Sequence, residues 1–436
     1  MIQSVPNIFK IPDLRKKILF TLAMVVVYRL GCHIPTPGIN AQALGLLLGQ
    51  LRGTIFGLYD IFVGGALSRA SVFALGIMPY ISASIILQLM GSVFPFLEKL
   101  QKEEEGRKKI NQYTRYLTVG LALIQASAIA VYLEQQPATA VGPIVLFGGM
   151  FFRILTVFTL TAGTIFVMWL GEQITDKGIG NGISFIIFIG CVDSMPQDLG
   201  RTVSMVRVGE LSWLALLIIA AVIFGVYAGV VLFTQAVRKI PVQYPKRIVG
   251  RKMYGGQSTH IPLRVTTAGV IPIIFAQSLI VFPSTIATFI KVPFMATIQE
   301  ILAPGGWLYN LLFAGLIIFF TYFYTSIVFN PRDIADNMQR YGGFVPGIRP
   351  GPQTANYIDR SLSLLLLPGA LFLAIMALLP FYLMSIFRVP FYFGGTTLLI
   401  IVGVALDTIQ QIESHLLMRH YEGLLKGSKI KGRRFF

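Results

Sequence analysis

The sequence predicts an all-α polytopic membrane protein with ten transmembrane helices. Of its 436 residues, 55% are hydrophobic and 13% are charged, with a mean hydropathy of +0.71, whereas soluble domains carry about 25% charged residues. Only helices and closed barrels satisfy their backbone in lipid, and these apolar runs are long and do not alternate as barrel strands do. Loop residues divide the runs into candidate spans at about 18–33, 71–94, 116–133, 146–170, 180–195, 211–237, 266–290, 307–329, 362–386 and 392–416.

The distribution of basic residues predicts that both termini lie in the cytoplasm. Placing the N-terminus inside assigns 28 of the 36 Lys and Arg residues to inner segments and 8 to outer ones. Such an excess is characteristic of cytoplasmic loops. It accounts for most of the net charge of +17 without any binding of nucleic acid.

Two inner segments are longer than a connection requires. Residues 238–264 contain seven Lys and Arg residues and no acid, and residues 330–361 are dense in Gly and Pro. Long basic loops on one face of a bundle are candidate docking surfaces. Their charge is explained equally well if the loops set the orientation of the chain in the membrane and are attracted to anionic lipid. Charge alone therefore leaves both interpretations open.

The sequence contains no catalytic or metal-binding pattern. There is no HExxH motif and no phosphate-binding loop, and the four His and two Cys residues show no metal-ligand spacing. A disulfide between Cys32 and Cys191 is an open alternative. Glu172 and Asp193 are expected near span ends, where water solvates them. We therefore predict no enzymatic activity, no cofactor and no metal site.

Stiff apolar side chains at helical spacing suggest a constriction. Ile77 and Ile81 are four residues apart, as are Ile183 and Ile187, so each pair shares a helix face. A ring of such residues from several helices excludes water. Taken singly, such an isoleucine is far more often an ordinary contact with lipid or with another helix.

A six-residue echo suggests internal repetition. Gly76–Ile81 (GIMPYI) and Gly269–Ile274 (GVIPII) fall in the second and seventh predicted spans. Two halves of five spans each would have inverted topology. Pro79 and Pro272, which we expect in span interiors, predict either kinks or a seam at which two helices part.

The apolar run 54–97 is nearly two spans long but has no proper loop. Gly64–Gly65 and Ser68–Arg69 interrupt its first part, which is too short to cross a membrane. A short apolar segment joined by glycines to a full span predicts a movable element in front of that span.

Long and specific motifs resemble the SecY family of protein-conducting channels, from about residue 11 to residue 431. They are RLGCHIPTPGI (29–39), GGALSRASVFALGIMPYISASI (64–85), INQYTRY (110–116), MWLGEQITDKGIGNGISFIIF (168–188), YGGQSTHIPL (254–263), AGVIPIIFA (268–276), VFNPRDIADN (328–337), GGFVPGIRPG (342–351) and VPFYFGGTTLLIIVGVALDT (389–408).

The resemblance implies two inverted five-helix halves, residues 1–205 and 206–436, around a central hourglass pore. It implies a passive conduit in the bacterial inner membrane, through which unfolded secretory chains cross and from which apolar segments leave sideways into lipid. The implied partners are SecE, SecG, the SecA ATPase, the ribosome, signal sequences with nascent polypeptides, and anionic lipid, with no specific reading of nucleic acid.

The resemblance also implies roles for individual residues. The pore ring corresponds to Ile77, Ile81, Ile183, Ile187, Ile274 and Ile400. The plug, about 55–70, has as its plug and hinge residues Asp60, Phe62, Gly64, Gly65, Ser68 and Arg69. The lateral gate corresponds to Pro79, Ser82, Gln88, Pro272, Gln277 and Ser278. Docking of the ribosome or SecA corresponds to Arg247, Arg251, Lys252, Arg340 and Arg349.

Two positions depart from the family pattern, and two other function classes compete with it. Lys252 stands where a second arginine is expected and lacks its bidentate fork, and Pro352 stiffens the loop tip after Gly351. An ion-coupled transporter also has inverted repeats, but it requires a midplane cluster of charges that the sequence does not show. A structural assembly scaffold is the third class.

Overall fold

The computed structural model describes residues 11–50, 55–139, 141–209, 212–244, 247–249, 252–254, 258–266, 268–289, 305–387 and 395–427. Within these ranges the chain forms fourteen helices and four short strands. The helices are α1 (Pro12–Gly31), α2 (Ala41–Gln50), α3 (Ile55–Phe62), α4 (Met78–Val93), α5 (Pro95–Lys102), α6 (Glu104–Glu134), α7 (Met150–Lys177), α8 (Gly182–Val208), α9 (Trp213–Thr234), α10 (Ile271–Phe289), α11 (Trp307–Val328), α12 (Pro331–Arg340), α13 (Pro352–Phe387) and α14 (Gly395–Gly427). The strands are β1 (Val237–Gln243), β2 (Arg247–Val249), β3 (Lys252–Tyr254) and β4 (Ser258–Arg264).

Each of the ten predicted spans corresponds to one described helix, namely α1, α4, α6 to α11, α13 and α14. Six of the described helices are long and apolar enough to cross a membrane, or seven if the bent pair α4 and α5 counts as one span. That pair bends by 113° at Phe94, whose extended backbone is the conformation that a following proline favours. Helices α8 and α10 contribute the shorter apolar segments Gly182–Pro196 and Ile271–Pro283.

Helix boundaries differ from the prediction at several places; α8 and α14, for example, end about 13 and 11 residues later than expected. Helix α4 begins at Met78, about seven residues later than expected, whereas α6 and α13 begin about ten residues earlier. Much of the segment 330–361 is therefore helical. Pro331 and Pro352 each stand at a helix start, where a missing backbone N–H costs nothing. The short helix α2 was not predicted.

The expectation that Pro79 and Pro272 lie in span interiors is wrong. Pro79 is in the first turn of α4, and Pro272 is the second residue of α10. Neither interrupts a helical hydrogen bond, so neither kinks its span. Prolines in the interiors of the described helices occur instead at Pro196 in α8, at Pro283 in α10, and at Pro368 and Pro380 in α13.

The two long basic segments share one apolar core. Strand β1 pairs antiparallel with β4 from Val237↔Arg264 to Gln243↔Ser258. One core cluster combines β1 and β4 with α12, the following turn and the start of α13: Ile240, Val242, Leu263, Met338, Val345 and Ile358. We call this unit, residues 237–264 and 330–361, the two-loop module. The sequence did not predict its strands, because basic residues interrupt their short alternation of apolar and polar side chains.

Within the described residues the chain divides into two compact units. The first comprises residues 11–194 and 404–427, and the second comprises residues 195–403. The first contains α1 to α7, and the second contains α9 to α13 with the two-loop module.

Candidate functional site

The two echo segments adopt the same local structure. Gly76 and Gly269 have positive φ angles of 54° and 60°, and each donates its N–H to the carbonyl three residues earlier, at 2.8 and 3.0 Å. The N–H groups of Ile81 and Ile274 then donate to the carbonyls four residues earlier, at 3.1 and 3.2 Å. Each glycine therefore makes the left-handed turn that starts a helix, and Ile81 and Ile274 occupy equivalent positions in the first turns of α4 and α10.

The six predicted pore-ring residues lie at or near the beginnings of four helices. Ile77 precedes α4 directly and is buried, like Ile81, and Ile187 is buried in α8 next to the half-buried Ile183. Ile274 in α10 and Ile400 in α14 are also buried. The first four residues belong to the first compact unit and the last two to the second, so the ring as a whole stays a prediction.

The predicted plug begins with an eight-residue helix, α3, that is too short to span a membrane. Consecutive glycines follow it, Gly64 and Gly65, with φ angles of 70° and 71°. The Asp60 carboxylate accepts a hydrogen bond from the Ser68 N–H at 2.9 Å, and the Asp60 carbonyl accepts one from Gly65 at 2.8 Å. Phe62 is buried. We call residues 63–70 the plug turn; its hydrogen bonds give it a defined conformation.

Helix α8 and helix α1 contact the plug turn closely. A Cβ atom on Gly190 of α8 would lie 2.7 Å from the Phe62 carbonyl oxygen, so only glycine permits this approach. The Tyr28 hydroxyl of α1 donates to the Val63 carbonyl at 3.2 Å. In addition, the Tyr59 hydroxyl donates to the Leu75 carbonyl at 2.8 Å, which joins α3 to the segment before α4.

The segment between the plug turn and α4 is anchored more firmly. The Thr36 N–H donates to the Ala70 carbonyl at 2.7 Å, and the Val72 N–H donates to the Ile34 carbonyl at 2.9 Å. Two glycines without side chains leave room for this segment. A Cβ on Gly31 would lie 1.9 Å from the Phe73 ring, and a Cβ on Gly163 would lie 2.1 Å from the Val72 carbonyl oxygen. A plug that swings from α4 therefore pivots before Ala70.

The acids Glu172 and Asp193 are paired with arginines, so the expectation that water alone solvates them is wrong. Glu172 binds Arg115 through two hydrogen bonds at 2.8 and 2.9 Å. Asp193 binds Arg29 of α1 through one carboxylate oxygen and Arg69 of the plug turn through the other, the latter at 3.3 Å. Sequence spacing could not reveal these pairs, because their partners are 57 to 164 residues away.

The predicted lateral-gate residues occupy α4 and α10. Besides the helix-start prolines, Ser82 is buried, and the Gln88 amide donates to the Ser84 hydroxyl at 3.1 Å. Gln277 and Ser278 are both buried in α10. A gate between these helices would join the two compact units and stays a prediction.

Four of the five predicted docking residues lie in described parts of the two-loop module. Arg340 ends α12 and Arg349 lies on the turn before α13, and both are exposed. Arg247 and Lys252 lie in the paired strands β2 and β3, and Arg251 lies outside the described residues.

The turn that carries Arg349 is held at both ends. At one end Gln243 of β1 and Phe344 exchange two backbone hydrogen bonds, at 2.9 and 3.0 Å. At the other end the Thr354 hydroxyl donates to the Arg349 carbonyl at 2.8 Å. Pro352 begins α13 and thus fixes the end of this turn. Sequence reasoning missed this coupling between the two loops.

The structure decides one alternative about the cysteines: Cys32 and Cys191 are both buried and free, so they form no disulfide. In the part of the chain that the structure describes, no cluster of three or more His, Cys, Asp or Glu residues has metal-binding geometry.

Comparison with known proteins decides the family. The family model for SecY matches residues 71–409. The chain belongs to the SecY family. It is 47% identical to the protein translocase subunit SecY of Aquifex aeolicus, over 98% of this chain and all of that one. It is 49% identical to the subunit of the same name from Escherichia coli K12, over 96% of each chain.

Solved structures show the same fold. A structure described as a protein-conducting channel matches with a TM-score of 0.67 at 18% identity, over 98% of this chain and 99% of that chain. Sec61 in a canine ribosome–channel complex from the endoplasmic reticulum matches with a TM-score of 0.62 at 17% identity, over the same shares. The predicted SecY fold of a polytopic helical membrane protein is confirmed. The family membership also confirms that the chain is a subunit of a protein translocase and is not an enzyme.

Proposed function

We propose that this chain is the pore-forming subunit of a translocase in the bacterial inner membrane, with both termini in the cytoplasm. Unfolded polypeptides pass through it, and apolar segments leave through a lateral gate that has α4 and α6 on one side and α10 and α11 on the other. The excess of 28 inner over 8 outer basic residues supports this orientation. Because the chain has no phosphate-binding loop, the driving force comes from a partner.

The observation that carries this proposal is the repeated helix start, Gly76–Ile81 and Gly269–Ile274. Equivalent local structures in two distant segments support two related halves, residues 1–205 and 206–436. Inversion of such halves places equivalent helix starts on opposite sides of a common centre. Each start then contributes an isoleucine, Ile81 or Ile274, to a narrow apolar ring that fits any passing side chain and excludes water.

The plug in this proposal is α3 with the plug turn. Its helix is too short to span the membrane, its glycine pair adopts φ angles that other residues rarely reach, and it directly precedes the anchored start of α4. It closes the outer side of the ring in the resting state and moves aside when a polypeptide enters.

Deleting residues 57–66 is expected to raise the ion leak of the resting channel without abolishing export. The deletion removes α3 and the glycine pair but keeps Ala70 and the anchored segment that starts α4. Conductance in planar bilayers and transport of a secretory precursor into vesicles measure the two effects. A channel that is tight and inactive in export would show that this segment is structural and is not a plug.

Docking is proposed for the two-loop module. Its exposed residues Arg340 and Arg349 face the compartment where the proposed partners lie, namely the ribosome and the SecA ATPase, and its shared core keeps their spacing fixed. SecE and SecG are the proposed small subunits. Anionic lipid, attracted by the basic inner segments, is a further proposed contact.

A further inference from the structure

We propose that Asp193 is a positioning residue that holds the plug turn closed through Arg69. This inference deepens the proposed function, because it presumes that α3 and the plug turn act as a plug. It assigns a role to Asp193 of α8, for which the sequence analysis predicted only solvation by water.

The geometry of Asp193 ties three elements together. One carboxylate oxygen binds an Nη2 atom of Arg29 in α1, and the other binds Nη2 of Arg69 in the plug turn at 3.3 Å. The carboxylate side chain is 19% exposed, and the two arginine side chains are 25% and 28% exposed. One turn earlier in α8, Gly190 brings the helix backbone against the Phe62 carbonyl. Contact and charge therefore hold the plug turn at the same place.

The charge balance makes the carboxylate indispensable to this arrangement. A single negative charge separates two guanidinium groups, and the Nη1 atom of each arginine is buried without a hydrogen-bond partner. Without the carboxylate, two like charges face each other in a site that water reaches only in part, where they repel each other. Arg69 then moves away from Arg29, because Arg69 lies in the plug turn, whereas Arg29 is fixed in the long helix α1.

The anchor of α4 does not depend on Asp193. The backbone bonds from Thr36 to Ala70 and from Val72 to Ile34 hold the last residue of the plug turn and the chain just after it. Loss of the carboxylate therefore releases the segment before Ala70 and leaves the start of α4 in place. When the plug moves, Asp193 stays paired with Arg29, and water replaces Arg69 at its other carboxylate oxygen.

The test is Asp193→Asn in the assembled translocase. We expect a rise of about fivefold in resting ion leak, the change that corresponds to losing about 1 kcal/mol from a partly exposed ion pair. Export of a precursor with a weakened signal sequence should rise as well. Asp193→Glu should restore a tight channel, since it keeps the charge. Arg69→Gln should match Asp193→Asn and leaves the Arg29–Asp193 pair intact, so it tests the plug arm even if Asp193→Asn fails to accumulate.

The matched control is Glu134→Gln. Glu134 is 20% exposed and binds Arg153 at 2.6 Å. This ion pair joins α6 to α7 and includes no residue of the plug turn, so its loss should leave leak and signal stringency unchanged. Parental leak and stringency in both Asp193→Asn and Arg69→Gln would overturn the inference. If deletion of residues 57–66 still raises leak, only the role of Asp193 fails; if that deletion also leaves the channel tight, the plug assignment itself fails.

Discussion

Replacing Arg349 with Glu is expected to reduce SecA-driven export by about a hundredfold or more, because a reversed charge at a docking contact costs several kcal/mol. Arg349 is exposed on a turn that is fixed by Gln243 on one side and by the Thr354 hydroxyl on the other. Such a turn has little freedom to withdraw the new carboxylate from an acidic partner surface. ATP-dependent transport of a precursor into inverted membrane vesicles measures the effect.

Two variants of the same module separate docking from folding. Arg332→Glu reverses another exposed arginine, in the first turn of α12, and should leave export within about threefold of the parent, as for other surface substitutions. Met338→Ala removes a buried side chain from the shared core and should weaken export through loss of the module's structure, with a lowered unfolding temperature. Normal export by Arg349→Glu would refute docking at this turn.

Replacing Ile81 and Ile274 together with Asn is expected to raise resting ion leak by about tenfold or more and to relax the requirement for a strong signal sequence. Each amide lowers the cost of wetting an apolar constriction by about 1–3 kcal/mol. The two residues occupy equivalent positions in the repeated helix start, so the double variant changes both proposed halves of the ring. Single-channel recording and export of signal-defective precursors measure the two effects.

The control for this variant is Ile124→Asn. Ile124 belongs to α6, and its side chain is 57% exposed on the apolar surface of that helix. The substitution introduces the same polar group into a span but away from the proposed ring, so leak should not change. Parental leak in the double variant, with normal assembly, would show that these isoleucines pack helices together and do not seal a pore.

The sequence predicts the spans well because burial in lipid imposes long apolar runs. It predicts helix starts less well, as Pro79 and Pro272 demonstrate. Proline fits the first turn of a helix but disrupts its interior, and the sequence alone does not say which case applies. The left-handed Gly76 and Gly269 show that these two prolines begin helices. The echo in sequence indicated a repeat, and the matching hydrogen bonds and φ angles make that repeat a structural one.

The sequence could not predict the contacts between distant segments. Asp193 meets Arg69 across 124 residues, and Gln243 pairs with Phe344 across the whole of α10 and α11. Charge patterning and periodicity report on neighbours along the chain, not on such pairs. The pore-ring, gate and docking assignments therefore rest on family resemblance, and the structure adds the local geometry that makes each of them testable.

The most direct test of the central claim, that polypeptides pass the Ile81 position, is crosslinking from Ile81→Cys to a stalled, half-exported polypeptide that carries a single cysteine. The proposal predicts a crosslink that forms only when the polypeptide is stalled within the channel, and none from Ile124→Cys, an exposed position of α6 that is not part of the proposed ring. Crosslinking from Ile124→Cys instead of Ile81→Cys, or equal crosslinking from both, would contradict the proposal.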